Sequence, residues 1–487
     1  MKRILAILLA LTLLLALAAC GAASTAVAAP EAPDPLKSET SSKIYEESAA
    51  VNPEGKTVNI LLVIDMQKDF VDRALGTPEA QAIVPAVVAK INEYKERGDV
   101  IIATKDTHEE SYLESQEGVN LPFIHCVQNT DGWELDDAVQ AAMPECVMIV
   151  NKPTFGSIDL VKIVGEYVAE YGQPNVHVEI VGLCTDICVI SNALLQKAFY
   201  PEMPITLDAA CCAGVTPAKH DAAIETMKSC QIGVYNDTIT APLSTEVLKA
   251  PLVSEIYAHA EKVNPEGKTV KLLLVIDMQK DFVDQALGTA EAQAIVPAVV
   301  AKISEYKNRG DVIIATRDTH EDTYMDTQEG ANLPVVHCVE GTDGWLLNTE
   351  VADALGDYGT IIDKPTFGST DLIALVREYV QQYGQPNVHV EIIGLCTDIC
   401  VVSNALIEKA FYPEMPITLD AACCAGVTPE SHDAALTTMR MCQINVINAE
   451  YTAPLSTVGA AAKCSILRQP SFYDKGGKKT GRVELFA

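Results

Sequence analysis

The sequence is short of positive charge. Its 487 residues include 35 Lys and Arg against 66 Asp and Glu, which gives a formal net charge of −31 at pH 7. A surface of this sign repels the phosphates of nucleic acids and the headgroups of anionic lipids. We therefore exclude both as partners. A locally basic segment, the C-terminal tail of residues 461–487, is interpreted as a solvated, poorly ordered end and not as a binding patch.

The sequence also lacks apolar runs long enough to cross a bilayer, and its longest such run lies at the start. Lys2 and Arg3 precede an almost unbroken apolar run over residues 4–16. That run is too short for a stable transmembrane helix and has the layout of a secretory signal peptide. We predict a signal peptide over residues 1–19.

The end of this signal peptide indicates how the protein is held after export. It closes with Leu-Ala-Ala-Cys, which resembles a bacterial lipobox. The resemblance implies that Cys20 is lipidated and begins the mature chain, so that the protein is exported and anchored to the cell membrane as a lipoprotein. An ordinary signal peptide is the alternative. Residues 20–41, rich in Ala, Ser, Pro and Glu, are predicted to form a flexible tether.

Most of the remaining chain is an internal duplication. Residues 42–245 align with residues 254–457 at a constant offset of 212, without an insertion or deletion. Loops tolerate length changes far better than cores do, so ungapped loops indicate a recent duplication. We predict two domains, residues 42–250 and 251–460, that pack as an intramolecular pseudo-dimer. The segment around residues 248–262 is expected to be partly helical and to fix that arrangement.

Cysteine is plentiful, but its pattern does not favour disulfides. Fifteen cysteines in an exported protein would usually be paired. Most of these, however, lie in apolar strand or helix contexts, where a free cysteine behaves as a small core residue. We predict that they are mainly reduced, although Cys146 and Cys464 have no repeat equivalent and could pair. Twelve of the fifteen form six pairs related by the repeat, which are Cys126/Cys338, Cys184/Cys396, Cys188/Cys400, Cys211/Cys423, Cys212/Cys424 and Cys230/Cys442.

Apolar runs and helical periodicities alternate along each repeat. Such alternation predicts two tandem α/β domains of the doubly wound, Rossmann-like type, each a mostly parallel sheet flanked by helices. Active sites in this architecture gather at the carboxyl ends of the strands. A first helix should end at Gly98. In the first repeat we predict strands at residues 58–64, 100–104, 146–150, 176–181, 205–207 and 232–235, and later helices at 160–171, 186–198 and 217–230.

Three reactive side chains follow predicted strands of the first repeat. Asp65 ends the first strand, Lys152 comes just past the third, and Cys188 lies in the first turn of a helix. Helix N-terminal N–H groups stabilise a thiolate, a nearby Lys would lower the pKa of the thiol further, and an Asp could take its proton. Each residue also has a structural interpretation: Asp65 as a turn or cap residue, Lys152 as a surface residue, and Cys188 as a packing residue.

The motifs around these residues resemble those of the isochorismatase-like cysteine hydrolase superfamily. They are Val-Ile-Asp-Met-Gln-Lys-Asp-Phe, the later Lys, and Gly-Leu-Cys-Thr-Asp-Ile-Cys-Val. The resemblance covers nearly all of both repeats. It implies a catalytic Asp–Lys–Cys triad, and a non-proline cis peptide that directs the N–H groups of two cysteines at a developing oxyanion. By this resemblance the triads are Asp65, Lys152 and Cys188, and Asp277, Lys364 and Cys400; the oxyanion holes are Cys184 with Cys188, and Cys396 with Cys400.

A second set of residues distinguishes branches of the superfamily. Two His and two carboxylates per repeat suit a divalent ion such as Zn²⁺, Mn²⁺ or Fe²⁺, although a polar loop with capping histidines is the alternative. The pattern of an Asp-x-His, a further ligand and a later His resembles nicotinamidases, and this implies one metal ion in each domain. The candidate ligands are Asp106, His108, Glu117 and His125 in the first repeat, and Asp318, His320, Glu329 and His337 in the second.

The nicotinamidase resemblance also implies how a substrate would lie. The metal would hold a pyridine nitrogen, and aromatic side chains would pack on the ring. Each aromatic candidate could equally belong to the core. The segment Lys-Pro-Thr-Phe-Gly-Ser departs from the commoner nicotinamidase pattern, which leaves the wall of the pocket open. The aromatic candidates are Phe70, Trp133 and Phe155, and their equivalents Phe282, Trp345 and Phe367.

These features together predict a metal-assisted amidohydrolase. It would convert a small, aromatic carboxamide to the acid and ammonia through a thioester. One alternative is another hydrolase of the superfamily that acts on a different amide or carbamoyl compound. Another is a non-catalytic surface binding protein. We expect two working sites, because the reactive residues are kept in both repeats while neighbours changed, as from Lys105 to Arg317.

Overall fold

The computed structural model describes residues 39–145, 147–237 and 253–449. The predicted signal peptide, most of the tether and the basic tail lie outside these residues, as do Cys20, Cys146 and Cys464. Among the helices that are described, none combines the length and apolar character that a membrane span requires. The twelve repeat-related cysteines lie within the described residues and are free thiols, as predicted.

Each repeat forms a six-stranded parallel sheet flanked by helices, which confirms the predicted fold class. The first sheet has the strand order 3-2-1-4-5-6, and the second repeats that order. Continuous apolar sequences build the central strands, because both faces of a parallel sheet are covered. The strands of the first repeat are β1 (Val58–Ile64), β2 (Val100–Asp106), β3 (Met148–Lys152), β4 (Val176–Leu183), β5 (Ile205–Ala213) and β6 (Gly233–Tyr235). Those of the second are β7 (Val270–Ile276), β8 (Val312–Asp318), β9 (Thr360–Lys364), β10 (Val388–Leu395), β11 (Ile417–Ala425) and β12 (Asn445–Ile447).

Local signals at the helix ends explain where the helices begin and end. The long helix between the first two strands begins where the Thr77 side chain accepts a hydrogen bond from Ala80 N, and it ends at Gly98, as predicted, with φ of 72°. The helices of the first repeat are α1 (Ser41–Val51), α2 (Lys68–Val71), α3 (Pro78–Arg97), α4 (Gln116–Asn120), α5 (Asp137–Ala142), α6 (Ile158–Tyr171), α7 (Ile190–Phe199) and α8 (Pro217–Ser229). Those of the second are α9 (Val253–Val263), α10 (Lys280–Val283), α11 (Ala290–Arg309), α12 (Gln328–Asn332), α13 (Thr349–Leu355), α14 (Thr370–Tyr383), α15 (Val402–Phe411) and α16 (Pro429–Met441).

Several strands extend further towards their carboxyl ends than the sequence predicts. Asp106 and Lys152 were expected just beyond strands, but they are the last residues of β2 and β3 and pair directly with each other in the sheet. Their polar side chains end the apolar pattern before the backbone pairing ends. The third strand also begins at Met148, two residues later than predicted. The predicted helix over residues 186–198 divides into a π-helical turn, Thr185–Val189, and α7.

The two repeats pack against each other through equivalent residues. The rings of Phe199 and Phe411 stack with centroids 6.1 Å apart, and the hydroxyls of Thr226 and Thr438 lie 3.3 Å apart. In both pairs a residue meets its own counterpart 212 positions later, which is the pattern of a self-complementary, two-fold interface. Helix α7 is consequently buried along almost its whole length. The helix expected near residues 248–262 is α9, the counterpart of α1.

Candidate active site

Four neighbouring strand ends supply the predicted triad and its surroundings. Since β3, β2, β1 and β4 are adjacent in the sheet, their carboxyl ends bring together Lys152, Asp106, Asp65 and the turn that carries Cys188. Parallel strands end at one edge, so residues far apart in sequence converge there. The second sheet repeats this arrangement with β9, β8, β7 and β10.

The side chains of the predicted triad are in direct contact in both repeats. Lys152 Nζ lies 2.5 Å from Asp65 Oδ2 and 3.2 Å from Cys188 Sγ. It also lies 3.5 Å from Asp106 Oδ1. The equivalent distances from Lys364 Nζ in the second repeat are 2.6 Å, 3.4 Å and 3.3 Å. The ammonium group therefore joins the thiol to two carboxylates, and all four side chains are buried.

Burial dominates the electrostatics of the triad. Burial raises the pKa of Cys188 well above its usual value, and although Lys152 lowers that pKa, the carboxylates of Asp65 and Asp106 raise it again. Burial also raises the pKa of Asp65, partly offset by Lys152. Burial lowers the pKa of Lys152, but Asp65, Cys188 and Asp106 together raise it by more than burial lowers it. The ammonium form is therefore favoured. Burial therefore works against the low thiol pKa that the helical position predicts.

The backbone and one threonine hold Asp65 in position. Its φ is 48°, in the left-handed region that side chains other than glycine rarely adopt. The hydroxyl of Thr104 donates to Asp65 Oδ1 at 2.5 Å, and Asp65 N donates to the same hydroxyl at 3.1 Å. Thr104, which sequence reasoning missed, lies on the neighbouring strand β2. In the second repeat Thr316 donates to Asp277 at 2.6 Å.

The turn that carries the sulfur is fixed by an asparagine. Asn192 Nδ2 donates to the carbonyl of Cys188 at 2.8 Å and to that of Phe155 at 3.0 Å, while Ser157 N donates to Asn192 Oδ1. The peptide bond Leu183–Cys184 is cis, as is Leu395–Cys396, as the family resemblance implies. The oxyanion role of the N–H groups of Cys184 and Cys188, and of Cys396 and Cys400, stays a prediction.

The eight candidate metal ligands form one cluster in each repeat. In both clusters the four ligand atoms lie within 4.8 Å of one another. In the first repeat His108 Nε2 lies 2.9 Å from Asp106 Oδ2 and 3.5 Å from Glu117 Oε1, and His125 Nε2 lies 3.6 and 3.8 Å from the same two oxygens. The second cluster, Asp318, His320, Glu329 and His337, has the same four distances.

The surroundings of the two imidazoles are suited to a bound cation. His125 Nδ1 lies 2.7 Å from the carbonyl of Phe123, so Nδ1 is a donor and Nε2 is the nitrogen that faces the carboxylates. His108 Nε2 makes no hydrogen bond although an Asp106 oxygen is close. Burial lowers the pKa of His108, but the carboxylates of Asp106 and Glu117 outweigh burial and raise that pKa to about 9. Two imidazoles and two carboxylates converging without hydrogen bonds are a donor set for a divalent ion.

The aromatic candidates do not share one environment. The ring of Phe70 lies 5.4 Å from that of His125, and Phe155 lines a small depression with His108 and Glu117. Trp133 has other contacts: its Nε1 donates to Thr107 at 2.9 Å, and Lys105 Nζ covers its ring at 3.7 Å. In the second repeat Phe282, Phe367 and Trp345 have equivalent positions, with Arg317 over the tryptophan ring. The tryptophans thus have polar and cationic partners of their own, and their contact with a substrate stays a prediction.

Two further groups at the site were not found from the sequence. The ring of Tyr112 lies 4.5 Å from that of His108 and 5.0 Å from that of His125, and its spacing in a loop gave no signal. Residues of the opposite repeat also line the depression, among them Lys409 and Glu414. A sequence read one repeat at a time cannot place such residues, because they lie about 300 positions away.

In comparisons with known proteins, each repeat matches the same family model separately. The family model of the isochorismatase domain matches residues 59–239 and 271–451, more than half of the chain. The chain is 26% identical over 211 residues to a nicotinamidase of Schizosaccharomyces pombe, covering 36% of this chain and 92% of that protein. It is 27% identical to a probable inactive nicotinamidase of Arabidopsis thaliana, covering 34% and 87%. Among solved structures, the pyrazinamidase of Pyrococcus horikoshii in complex with zinc is 28% identical, with coverage of 36% and 98% and a TM-score of 0.32.

Proposed function

Since this chain belongs to the isochorismatase family and carries its domain twice, we propose that it is a metal-assisted cysteine amidohydrolase of the nicotinamidase type. It hydrolyses a small aromatic carboxamide to the acid and ammonia. The observation that carries this proposal is the contact of Lys152 Nζ with Asp65, Cys188 and Asp106 within 3.5 Å, repeated around Lys364. A buried base, cation and thiol in mutual contact, beside four side chains suited to a metal ion, are the arrangement expected of a catalytic site.

The residues of the triad divide the chemistry between them. Asp65 takes the thiol proton of Cys188, and the thiolate forms a C–S bond to the amide carbon. The tetrahedral oxyanion faces the N–H groups of Cys184 and Cys188. When the C–N bond breaks, the Asp65 carboxyl returns its proton to the leaving ammonia. Water then attacks the thioester with Asp65 as base, and the C–S bond breaks to give the acid and the thiol.

The elevated pKa values support this division of roles. A thiol whose pKa burial raises needs a base, and the Asp65 carboxyl, whose pKa burial also raises, is able to hold the proton between the two steps. The Lys152 ammonium stays charged and offsets the negative charge that moves between the carboxylate and the sulfur. The same roles fall to Asp277, Lys364 and Cys400.

The metal-ligand side chains would add orientation. Each cluster of four would hold one borderline divalent ion, Zn²⁺, Mn²⁺ or Fe²⁺. The ligands are Asp106, His108, Glu117 and His125 in the first repeat and their four counterparts in the second. When bound, the ion would supply a Lewis-acid contact for a ring heteroatom of the substrate. Phe70 and Phe155 would pack on that ring.

A hydrolase for another small amide or carbamoyl compound is the second candidate. The depression beside the metal-ligand side chains is walled by Pro153 and Phe155 but also by Lys409 and Glu414 of the other repeat. This mixed wall differs from a purely aromatic pocket and leaves room for a substrate other than an aromatic carboxamide.

We further propose that the two repeats act as an intramolecular pseudo-dimer in which both sites work, and that the protein is exported and held at the membrane by a lipid on Cys20. Its substrate would then come from outside the cell. The lipid anchor has a direct test. The variant Cys20→Ala should move from the membrane fraction to the soluble fraction, and unchanged membrane attachment would refute this part.

A panel of small amides tests the proposed activity. Nicotinamide, pyrazinamide, benzamide and an N-carbamoyl amino acid are each incubated with the full chain, and ammonia is measured with and without a chelator. We expect release from the aromatic amides, lost on chelation. Release from the carbamoyl compound alone would favour the second candidate, and no release from any of them would contradict the proposal.

A further inference from the structure

The four metal-ligand side chains of a repeat are not equally tied to their own sheet. Asp106 is the last residue of β2, and His108 pairs with Val127 in a bridge close to His125. Glu117 lies instead in α4, a single helical turn outside the sheet, and Glu329 lies in its counterpart α12. A ligand on so short an element needs support from its surroundings to keep its position.

Much of that support comes from the other repeat. Gln116, the residue before Glu117, donates from its backbone N to Glu414 Oε2 at 2.9 Å and from its side chain to the Glu414 carbonyl at 3.4 Å. Its Oε1 accepts a hydrogen bond from Lys409 Nζ at 2.6 Å. Gln443 of the second repeat reaches the Glu117 carbonyl at 3.4 Å. Three residues of the second repeat therefore hold the start of α4 by hydrogen bonds.

The support is reciprocal. Gln328, the residue before Glu329, donates to Glu202 Oε2 at 2.9 Å and to the Glu202 carbonyl at 3.2 Å. Its Oε1 accepts from Lys197 Nζ at 2.6 Å. The same three contacts thus occur at both sites with their distances agreeing within 0.2 Å.

The supporting side chains are themselves buried and fixed. Lys409 and Glu414 are 4% and 2% exposed, a costly placement for charged groups unless their polar atoms are partnered. Lys409 Nζ also donates to the Pro413 carbonyl at 2.8 Å, and Tyr257 donates to Glu414 at 2.7 Å. In the other direction Lys197 donates to the Pro201 carbonyl, and Tyr45 donates to Glu202. Each support is a rigid network and not a loose surface contact.

We propose that each repeat positions the fourth metal ligand of the other, so that neither metal centre reaches full affinity without its neighbour. Lys409, Glu414 and Gln443 are positioning residues for Glu117, and Lys197 and Glu202 are positioning residues for Glu329. This inference rests on the proposed function, in which the clusters hold a metal ion. On this inference each metal site depends on contacts from the other repeat, so the duplication does more than double the number of sites.

The test measures metal affinity in the full chain with one centre disabled. In the background His320→Ala/His337→Ala only the first centre can bind, and Zn²⁺ affinity is measured by competition with a chromogenic chelator. Adding Lys409→Met should weaken binding about 10–100-fold, the usual effect of losing support around a ligand. The matched control is Lys197→Met in the same background. It removes the equivalent lysine, whose contact is with the disabled centre, and should leave the affinity of the first centre unchanged.

Each other outcome overturns the inference in a recognisable way. Equal weakening by Lys409→Met and Lys197→Met would mean that the interface is loosened in general, and no weakening by either would mean that no support is transmitted. Should Lys409→Met fail to fold, as seen by thermal unfolding, Gln443→Ala and Glu414→Gln make the same test with smaller changes. If the parent background binds no metal at all, the metal part of the proposed function fails, and this inference with it.

Discussion

Glu408 occupies in the second repeat the position that Gln196 occupies in the first, and the side-chain oxygens and nitrogens of both are buried without a hydrogen-bond partner. The two residues lie on α15 and α7, the helices that are buried where the repeats meet. Burial raises the pKa of Glu408 well above its usual value. The duplication has therefore left one copy of this position with an ionisable group and the other with a neutral one.

This difference predicts how stability changes with pH. Because the folded-state pKa of Glu408 is raised, its contribution to stability is fully present below the unfolded pKa and is lost as the pH rises through the folded one. Glu408→Gln should therefore matter little at acid pH and should raise the free energy of unfolding by about 1–3 kcal/mol at pH 8. Urea unfolding of both proteins at acid pH and at pH 8 measures this difference in the free energy of unfolding. Gln196→Glu is the matched control and should have the opposite sign; a gain that is the same at every pH would contradict the assignment.

The two sites should contribute separately to turnover. Cys188→Ala or Cys400→Ala alone should each leave about half of the ammonia release, because distant sites act additively. The measurement is the maximal rate per chain with metal in excess. A single variant that removes all activity would show that one repeat is inactive or that the two sites work only together.

Removal of metal should abolish turnover reversibly. The two ligand clusters predict two metal equivalents per chain, and His125→Ala should remove one of them. Elemental analysis gives the stoichiometry, and ammonia release after dialysis against chelator and re-addition of Zn²⁺, Mn²⁺ or Fe²⁺ identifies the ion. Full activity in metal-free protein would contradict the role assigned to the clusters.

Thr104 should affect how well Asp65 acts as a base, without binding the substrate itself. Its hydroxyl donates to Asp65 Oδ1 at 2.5 Å and accepts from Asp65 N at 3.1 Å, so Thr104→Val in the Cys400→Ala background removes both hydrogen bonds to the base. We expect a fall in kcat of about 10-fold or more with KM nearly unchanged. Thr104→Ser keeps the hydroxyl and serves as the control. A change confined to KM would place Thr104 in the substrate pocket instead.

The sequence allowed the sheet to be predicted because its strands follow local rules, whereas the triad was assigned through the family resemblance. A continuous apolar run such as residues 58–64 has one stable place in a doubly wound domain, and the polar residue after it must lie at the carboxyl edge. The residues Asp65, Lys152 and Cys188 met there for that reason. The ends of β2 and β3 were placed too early because Asp106 and Lys152 are polar although they still pair in the sheet.

Other features could not be predicted because they depend on burial and on the second repeat. The pKa of Cys188 was expected to fall from its helical position, but burial outweighs Lys152, and burial is a property of the packed fold. The contacts of Lys409 and Glu414 with Gln116 join residues almost 300 positions apart. No local pattern marks such contacts, since they arise only when two copies of the domain pack together.

Trapping the covalent intermediate tests the central claim most directly. The full chain is quenched in acid during turnover of nicotinamide and examined by intact mass and peptide mapping. A thioester mechanism predicts one added acyl group on Cys188 and one on Cys400, and neither adduct nor ammonia in Cys188→Ala/Cys400→Ala. Full ammonia release by that double variant would contradict the account.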